Sequence, residues 1–161
     1  MLIGVVSDTH GQTSYAREAA RALEPFDISA VLHCGDIGGT AIIEVFRAWP
    51  THYVLGNVDV FDRDELRHAI VSAGQTFHER FAELELGNRR VAMTHGDDQR
   101  ALNGAISGGQ FELVCHGHTH QWREERLGET LVLNPGALYR AHPHTLAVVD
   151  LTNLSVTRIA I

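Results

Sequence analysis

The sequence has little of what several classes of protein require. It contains only two cysteines, which we interpret as free, buried thiols, so a disulfide framework is not expected to hold the fold. It has 13 basic residues against 20 acidic ones and a formal charge of -7, so strong nonspecific binding of nucleic acid is not expected. Its apolar runs are short, and none approaches the roughly 20 residues of a membrane helix. These absences argue against disulfide-stabilised, nonspecific nucleic-acid-binding and membrane-spanning proteins.

The N-terminus and the composition are typical of an ordinary globular protein. Residues 1–7 are apolar and reach Asp8 without a basic region or a long hydrophobic region, so we interpret them as a strand and not as a signal peptide. With 161 residues, the chain is long enough for one domain that spans residues 1–161. We expect a cytoplasmic protein, and the sequence leaves open whether it is a homo-oligomer.

The first third of the chain alternates strand and helix patterns. Residues 2–7, 30–34 and 51–55 are short apolar runs, which are typical of strands buried on both faces. Residues 14–23 and 40–50 carry apolar side chains at helical spacing between these runs. This order predicts parallel strands joined by right-handed crossovers.

The remainder of the chain has mainly strand patterns. Helical patterns occur at 63–72 and 99–106, and the strand candidates are 77–86, 90–94, 113–116, 122–126, 130–133, 145–151 and 155–159. Glycine, asparagine and proline separate several of these segments, as expected for turns. An α/β fold with two sheets packed face to face and helices outside fits the pattern best.

Potential metal ligands follow five of the apolar segments. They are the carboxylates of Asp8 and Asp36, the amide of Asn57, and the imidazoles of His10, His95, His118 and His120. Because strand ends share one rim of a sheet, we expect these side chains to converge. Oxygen and nitrogen ligands without thiolate suit Mn²⁺, Fe²⁺, Zn²⁺ or Co²⁺. Seven ligands exceed the need of one ion, whereas two ions that share a carboxylate would use them and could hydrolyse phosphoesters.

The motifs that contain these ligands resemble those of the calcineurin-like metallophosphoesterase superfamily. In chain order they are Asp8-Thr9-His10-Gly11, Gly35-Asp36, Gly56-Asn57, Thr94-His95-Gly96 and Gly117-His118-Thr119-His120. Within the superfamily, the phrases His33-Cys34-Gly35-Asp36, Gly56-Asn57-Val58-Asp59 and Asn134-Pro135-Gly136 are similar to those of compact bacterial and archaeal phosphodiesterases related to the retromer subunit Vps29. Five ordered motifs along nearly the whole chain are specific, whereas one alone would be weak.

The resemblance implies a four-layer αββα sandwich of two packed mixed β-sheets flanked by helices, with a dinuclear metal site. Asp8, His10 and His120 would hold the first ion, Asn57, His95 and His118 the second, and Asp36 would bridge them. Mn²⁺ is the expected metal, with Fe²⁺, Zn²⁺, Ni²⁺ or Co²⁺ as alternatives. A hydroxide between the ions would attack a small phosphodiester substrate, or also a phosphomonoester.

One position departs from the family pattern. Val58 stands where many catalytic members carry a histidine that is thought to protonate the leaving oxygen. Because valine cannot transfer a proton, we expect a preference for leaving groups that need little help, such as aryl esters. Asp59 is the nearest titratable substitute, either as an acid or by orienting His95. The predicted catalytic set is therefore Asp36, Asn57, Asp59 and His95.

Two functions remain open at this point. The first is a metal-dependent phosphoester hydrolase, and the second is a Vps29-like noncatalytic metal-binding module for protein interaction. Retention of every expected ligand type favours the hydrolase, whereas Val58 favours the module. His33 and His116 lie inside predicted strands and are interpreted as core residues. The aromatic side chains that could line a substrate cleft, or pack in the core or at the rim, are Phe61, Trp122 and Tyr139. Arg63, Arg100 and Arg140 could bind a second phosphate or a carboxylate of the substrate, or lie on solvated faces.

Overall fold

The computed structural model describes residues 1–161, which form eleven strands and four helices. In chain order they are β1 (Leu2–Val6), α1 (Thr13–Leu23), β2 (Ile28–His33), α2 (Ala41–Val45), β3 (Thr51–Tyr53), α3 (Arg63–Ser72), β4 (Thr76–Phe77), β5 (Phe81–Leu86), β6 (Arg89–Thr94), α4 (Gln99–Ser107), β7 (Leu113–Cys115), β8 (Trp122–Leu127), β9 (Thr130–Pro135), β10 (Thr145–Asp150) and β11 (Ser155–Ala160). The predicted alternation of strand and helix in the first third of the chain is confirmed.

The strands form two sheets, and each sheet contains both parallel and antiparallel pairs. The first sheet has the order β11-β10-β1-β2-β3-β4, in which β1 to β4 run parallel and β10 and β11 are antiparallel additions. The second has the order β5-β6-β7-β9-β8, with three central parallel strands and an antiparallel strand at each edge. The predicted mixed sheets are confirmed.

Alternate side chains along each strand face two different layers. Ile3 and Val5 of β1 pack with Met93 and Leu113 in a core between the two sheets. Val6 faces the other side of the first sheet and belongs to a second core. Successive strand residues point to opposite faces, so buried strands supply both cores at once.

The helices cover the outer faces of the two sheets. On the first sheet, Ala16 of α1, Ile42 of α2 and Leu66 of α3 are buried in the second core. On the second sheet, Leu102 of α4 packs against Val114 of β7. Helices therefore flank both sheets, which confirms the predicted four-layer αββα arrangement. No helix in the structure is both long enough and apolar enough to span a membrane.

The segment 77–86 differs from its prediction as one continuous strand. The structure divides it, because β4 pairs with β3 in the first sheet whereas β5 pairs with β6 in the second. Glu79 has a φ of 42°, in the left-handed region that interrupts an extended chain. The alternating pattern was correct for β5, but it could not show that the chain changes sheets between Phe77 and Phe81.

The direction of the strands positions the ligand loops. In the first sheet, β1, β2 and β3 are parallel, so their carboxyl ends lie along one edge. In the second, β6 and β7 are also parallel. The loops after these five strands carry all the predicted metal ligands, and the rim of the two sheets is therefore the place for a site.

Candidate metal centre

Each predicted ligand lies in a loop that follows a strand. Asp8 and His10 follow β1, Asp36 follows β2, Asn57 follows β3, His95 follows β6, and His118 and His120 follow β7. The loops are joined by main-chain hydrogen bonds. The Asp8 N–H donates to the Gly35 carbonyl over 3.0 Å, and the Gly117 N–H donates to the His95 carbonyl over 2.9 Å. Each of these bonds joins two loops of one sheet, and the His118 N–H, which donates to Oδ2 of Asp8 over 3.2 Å, joins the loops of the two sheets.

The three residues predicted for the first ion are in contact. Oδ1 of Asp8 lies 3.1 Å from Nε2 of His120 and 3.9 Å from Nε2 of His10. The two imidazole nitrogens are 3.4 Å apart. Asp8 is fully buried, whereas both histidines are partly exposed, so this group opens toward solvent on the imidazole side.

The three residues predicted for the second ion also come together. Oδ1 of Asn57 lies 3.2 Å from Nε2 of His95 and 3.1 Å from Nδ1 of His118. His95 is buried, but Asn57 and His118 are exposed. A substrate could therefore reach this group directly from solvent.

Asp36 lies between the two groups. Its Oδ2 is 3.5 Å from Nε2 of His10, and its Oδ1 is 3.3 Å from Nε2 of His95. Oδ1 of Asp8 also reaches Nε2 of His95, at 4.0 Å. Both carboxylates thus contact imidazoles of both groups, and the two faces of Asp36 suit the bridging position.

The backbone at the centre is unusual for residues with side chains. Five of the predicted ligands have positive φ: Asp8 (56°), His10 (44°), Asp36 (52°), His118 (69°) and His120 (58°). Non-glycine residues adopt this region rarely and at a cost of about 1–3 kcal/mol each, and such residues concentrate at functional sites. The surrounding loops therefore hold these side chains in place against their local preference.

Two glycines permit the close approach of these loops. A Cβ at Gly56 would overlap Oδ1 of Asp36, and a Cβ at Gly117 would overlap Oγ of Ser7. Neither clash involves the flexible end of a long side chain, so the neighbours could not move aside cheaply. The glycines in the Gly56-Asn57 and Gly117-His118 motifs are thus required by packing around the carboxylates.

Hydrogen bonds orient two of the imidazoles. Nδ1 of His95 lies 2.8 Å from the carbonyl oxygen of Cys34, and Nδ1 of His120 lies 3.3 Å from that of Arg140. A carbonyl accepts only, so in each ring Nδ1 carries the proton and Nε2 faces the centre. A backbone partner on one ring nitrogen is the usual way in which a metal-binding histidine is oriented.

The centre favours positive charge on two of its imidazoles, those of His95 and His120. Burial opposes charge on His95, but its hydrogen bond with Asp36 and the negative charges of Asp8 and Asp36 outweigh burial and raise its pKa. The hydrogen bond with Asp8 raises the pKa of His120. Burial alone would raise the pKa of Asp36, yet the neighbouring His95 lowers it. Carboxylates and imidazoles therefore stabilise each other as charged groups.

The same residues fit divalent metal ions. Oδ1 of Asp8 is buried and has no hydrogen-bond partner while the imidazoles that face it are neutral. Possible ligand atoms gather in two groups within 4.8 Å, one of Asp8, His10 and His120 and one of Asp8, Asp36 and His95. An unpartnered buried carboxylate oxygen among ring nitrogens is well suited to a cation.

Cys34 and Cys115 are free and buried in the core between the sheets, as predicted.

Asp59 makes different contacts from those expected. Its carboxylate accepts hydrogen bonds from the main-chain N–H groups of Ile37 (3.0 Å), Gly38 (2.9 Å) and Gly56 (2.8 Å). It makes no hydrogen bond or ion pair with His95. Burial raises its pKa, while the three donors oppose that rise. Asp59 therefore ties the loop after β2 to the loop after β3, and these contacts do not support a role as proton donor.

Asn134 supports the centre and was not among the predicted site residues. Its Nδ2 donates to the carbonyl of Gly117 over 2.8 Å and to Oγ1 of Thr119 over 3.0 Å. Its Oδ1 accepts from the N–H of Gly136 over 2.9 Å. The side chain thus fixes the loop that carries His118 and His120. The Asn134-Pro135-Gly136 motif was the available signal, but alone it indicated only a turn.

The comparison with a protein-family model decides the family. The model of the calcineurin-like phosphoesterase superfamily domain matches residues 1–154. The chain belongs to this superfamily. The predicted family is confirmed, together with its reaction class, metal-dependent hydrolysis of phosphoric esters.

Individual members of the superfamily resemble the chain over most of its length. A phosphodiesterase of Methanocaldococcus jannaschii is 30% identical, and the match covers 93% of each chain. The structure of an archaeal phosphodiesterase superposes with a TM-score of 0.92 at 28% identity, over 100% of both chains. Vps29 of Entamoeba histolytica has a TM-score of 0.66 at 18% identity, over 100% of this chain and 99% of the other. The last likeness concerns the fold alone.

Proposed function

We propose that residues 1–161 form one metallophosphoesterase domain that hydrolyses small phosphodiesters with two divalent metal ions. Asp8, His10 and His120 would hold one ion, Asn57, His95 and His118 the other, and Asp36 both. Mn²⁺ is the favoured metal, because the donors are carboxylate, amide and imidazole without thiolate; Fe²⁺, Zn²⁺, Ni²⁺ and Co²⁺ are alternatives. Two such ions supply an activated water and a clamp for phosphoryl oxygens.

The position of Asp36 carries this proposal. Its two oxygens face imidazoles of both groups, at 3.5 Å and 3.3 Å. The N–H of Val58 also donates to Oδ1 of Asp36 over 3.1 Å, which limits rotation of the carboxylate. A carboxylate held between two ligand groups is what a two-ion centre needs, and one ion would not require the second group.

The surrounding residues favour esters with good leaving groups. Val58 has no titratable group, and both oxygens of Asp59 already accept main-chain hydrogen bonds. Neither residue is placed to give a proton to a leaving oxygen. Aryl phosphodiesters, whose leaving oxygen needs little protonation, are therefore the expected substrates.

The alternative function is a Vps29-like interaction module without catalysis. The support for it is the likeness of the fold and the valine at position 58. Against it, every predicted ligand is present and five of them keep costly positive φ values. Strain concentrated on ligand residues favours an active centre over a surface that has lost its chemistry.

Hydrolysis of bis-p-nitrophenyl phosphate by the Mn²⁺-loaded protein tests the proposal. We expect metal-dependent release of p-nitrophenol, reduced about a thousandfold by Asp36→Asn because the amide would weaken the hold on both ions. Asp97→Asn is the matched control. Asp97 lies two residues after His95, but its carboxylate pairs with Arg80 and not with the centre. If the unsubstituted protein hydrolyses the ester no faster than Asp36→Asn does, the hydrolase function would be excluded.

A further inference from the structure

Arg140 lies at the edge of the metal centre in the loop between β9 and β10. The loop is attached to the centre at two points. The N–H of Leu138 donates to the carbonyl of Ser7 over 3.1 Å, and Nδ1 of His120 donates to the carbonyl of Arg140 over 3.3 Å. Arg140 has a φ of 54°, which is unfavourable for a residue with a side chain. The contact with His120 thus places the main chain of Arg140 at the centre in spite of this unfavourable conformation.

The guanidinium of Arg140 has no acidic partner. It lies over the ring of Tyr139, 5.4 Å from the ring centre, and no carboxylate is within ion-pair distance. The side chain is exposed, while the main chain of Arg140 is held at the centre by His120. An unpaired cation beside the centre is notable in a chain with a formal charge of -7.

Aromatic rings extend from the centre past Arg140. The ring centres of His10 and Tyr139 are 5.9 Å apart, those of Tyr139 and Tyr15 are 6.4 Å apart, and those of Tyr15 and His144 are 4.2 Å apart. We call His10, Tyr139, Tyr15 and His144 the ring wall. It begins at a predicted metal ligand, and its members are partly exposed. Neighbouring rings are tilted relative to one another by 33° to 65°, so a flat group attached to a bound phosphate could pack against one ring of the wall, and not against all four at once.

We propose that the ring wall and Arg140 form a subsite for one ester substituent of the substrate, and that this subsite selects a nucleotide-like group with a planar ring and an additional negative charge. The ring would stack on the wall, and Arg140 would bind the additional anion. This inference rests on the proposed function. A small ester fits better than a polynucleotide, because the acidic chain lacks a wider basic surface.

Three p-nitrophenyl phosphodiesters separate the ring from the charge. They are methyl p-nitrophenyl phosphate, the p-nitrophenyl ester of thymidine 5′-phosphate, and that thymidine ester with a second phosphate at the 3′ position. All three release the same leaving group, so differences in kcat/KM report the other substituent. We expect kcat/KM to rise in this order, with the 3′-phosphate adding about tenfold, as for a charge-assisted hydrogen bond.

Two variants assign these preferences to residues. Arg140→Gln should remove the preference for the 3′-phosphate, and Tyr139→Leu should reduce the preference for thymidine over methyl about fivefold, since one stacking partner is lost. Arg158→Gln is the matched control, because Arg158 also lies over an aromatic ring, that of Trp122, at 5.1 Å, but on a strand without predicted ligands. If Arg140→Gln slows all three esters equally, Arg140 serves the scissile phosphate and the subsite is wrong.

A binding measurement separates this inference from the proposed function. Calorimetric titration of the metal-loaded protein should show thymidine 3′,5′-bisphosphate binding about tenfold more tightly than thymidine 5′-phosphate, and Arg140→Gln should abolish the difference. Selective binding without any turnover would contradict the hydrolase and support the subsite. Equal binding of the two nucleotides, together with equal hydrolysis of the three esters, would contradict the subsite and support the hydrolase.

Discussion

Histidines occupy two adjacent regions of this molecule with opposite electrostatic results. At the metal centre, the pKa values of His95 and His120 are raised. Just behind it, burial lowers the pKa of His33 and of His116 to about 4. His33 is the last residue of β2, and His116 directly follows β7. His116 and His120 are only four residues apart, yet their pKa values are shifted in opposite directions.

Burial does not explain the difference, because it opposes charge in both regions. His95 is as buried as His33, with both residues showing no exposed surface. His95, however, faces the carboxylates of Asp8 and Asp36, whereas Nε2 of His33 meets the hydroxyl of Thr9 at 3.0 Å and its Nδ1 has no partner. Between His95 and His33, the position of the ring relative to the two carboxylates therefore decides which is the cationic group and which the neutral core residue. His10 faces the same carboxylates, but burial outweighs them there and lowers its pKa.

Adding metal should have the largest effect on the comparison between the histidines of the candidate metal centre and those behind it. We expect near two equivalents of Mn²⁺ per chain by elemental analysis. At a free concentration about a thousand times the dissociation constant, each bound ion should raise the free energy of unfolding by about 4 kcal/mol. Removal of the metal by a chelator, followed by denaturant titration, measures how much the free energy of unfolding falls. A stable maximum of one ion under excess metal would contradict the bridging position of Asp36.

Acid should destabilise the folded protein through His33, which lies behind the candidate metal centre. Because the pKa of His33 is about 4 when folded and about 6.5 when unfolded, the unfolded chain binds more protons between these values. Stability should therefore be unaffected by His33 above pH 6.5 and should fall as the pH drops toward 4, by about 3 kcal/mol from this residue.

Urea unfolding of the metal-free protein between pH 4 and 7 measures this contribution. His33→Gln cannot take up the proton, so its stability should depend less steeply on pH than that of the unsubstituted protein. The matched control is His68→Gln on the exposed face of α3, which should keep the original slope. Equal slopes for all three proteins would show that His33 is not the neutral core residue described above.

The smallest expected effect concerns a histidine that the centre lacks. Val58 is 38% exposed, so Val58→His should fit without disturbing the core. The new imidazole should raise turnover of poor leaving groups, such as alkyl phosphodiesters, by about tenfold, which is below the usual range for an evolved general acid. Val60→His, in the same loop and 50% exposed, is the control. Equal rates in the two variants would contradict the missing-acid interpretation.

The convergence of the proposed ligands could be predicted from sequence because strand ends in parallel sheets meet at one rim. Short apolar runs marked the strands, and the next polar residues marked the rim, which placed Asp8 and Asp36 together before any coordinates. The role of Asp59 was not accessible in this way. A carboxylate two residues after a ligand can face the centre or the main chain, and the direction of its side chain depends on how neighbouring loops pack.

The order of residues along the chain was therefore sufficient to predict the family, the layered fold and the convergence of the proposed ligands, since these depend on local periodicity and on motif order. It could not show that the chain changes sheets between Phe77 and Phe81, or that the free guanidinium of Arg140 stands beside the centre. Those features arise from contacts between segments far apart in sequence. A local sequence pattern does not specify the distance between segments that are far apart in the chain. The packing of the two sheets determines these distances.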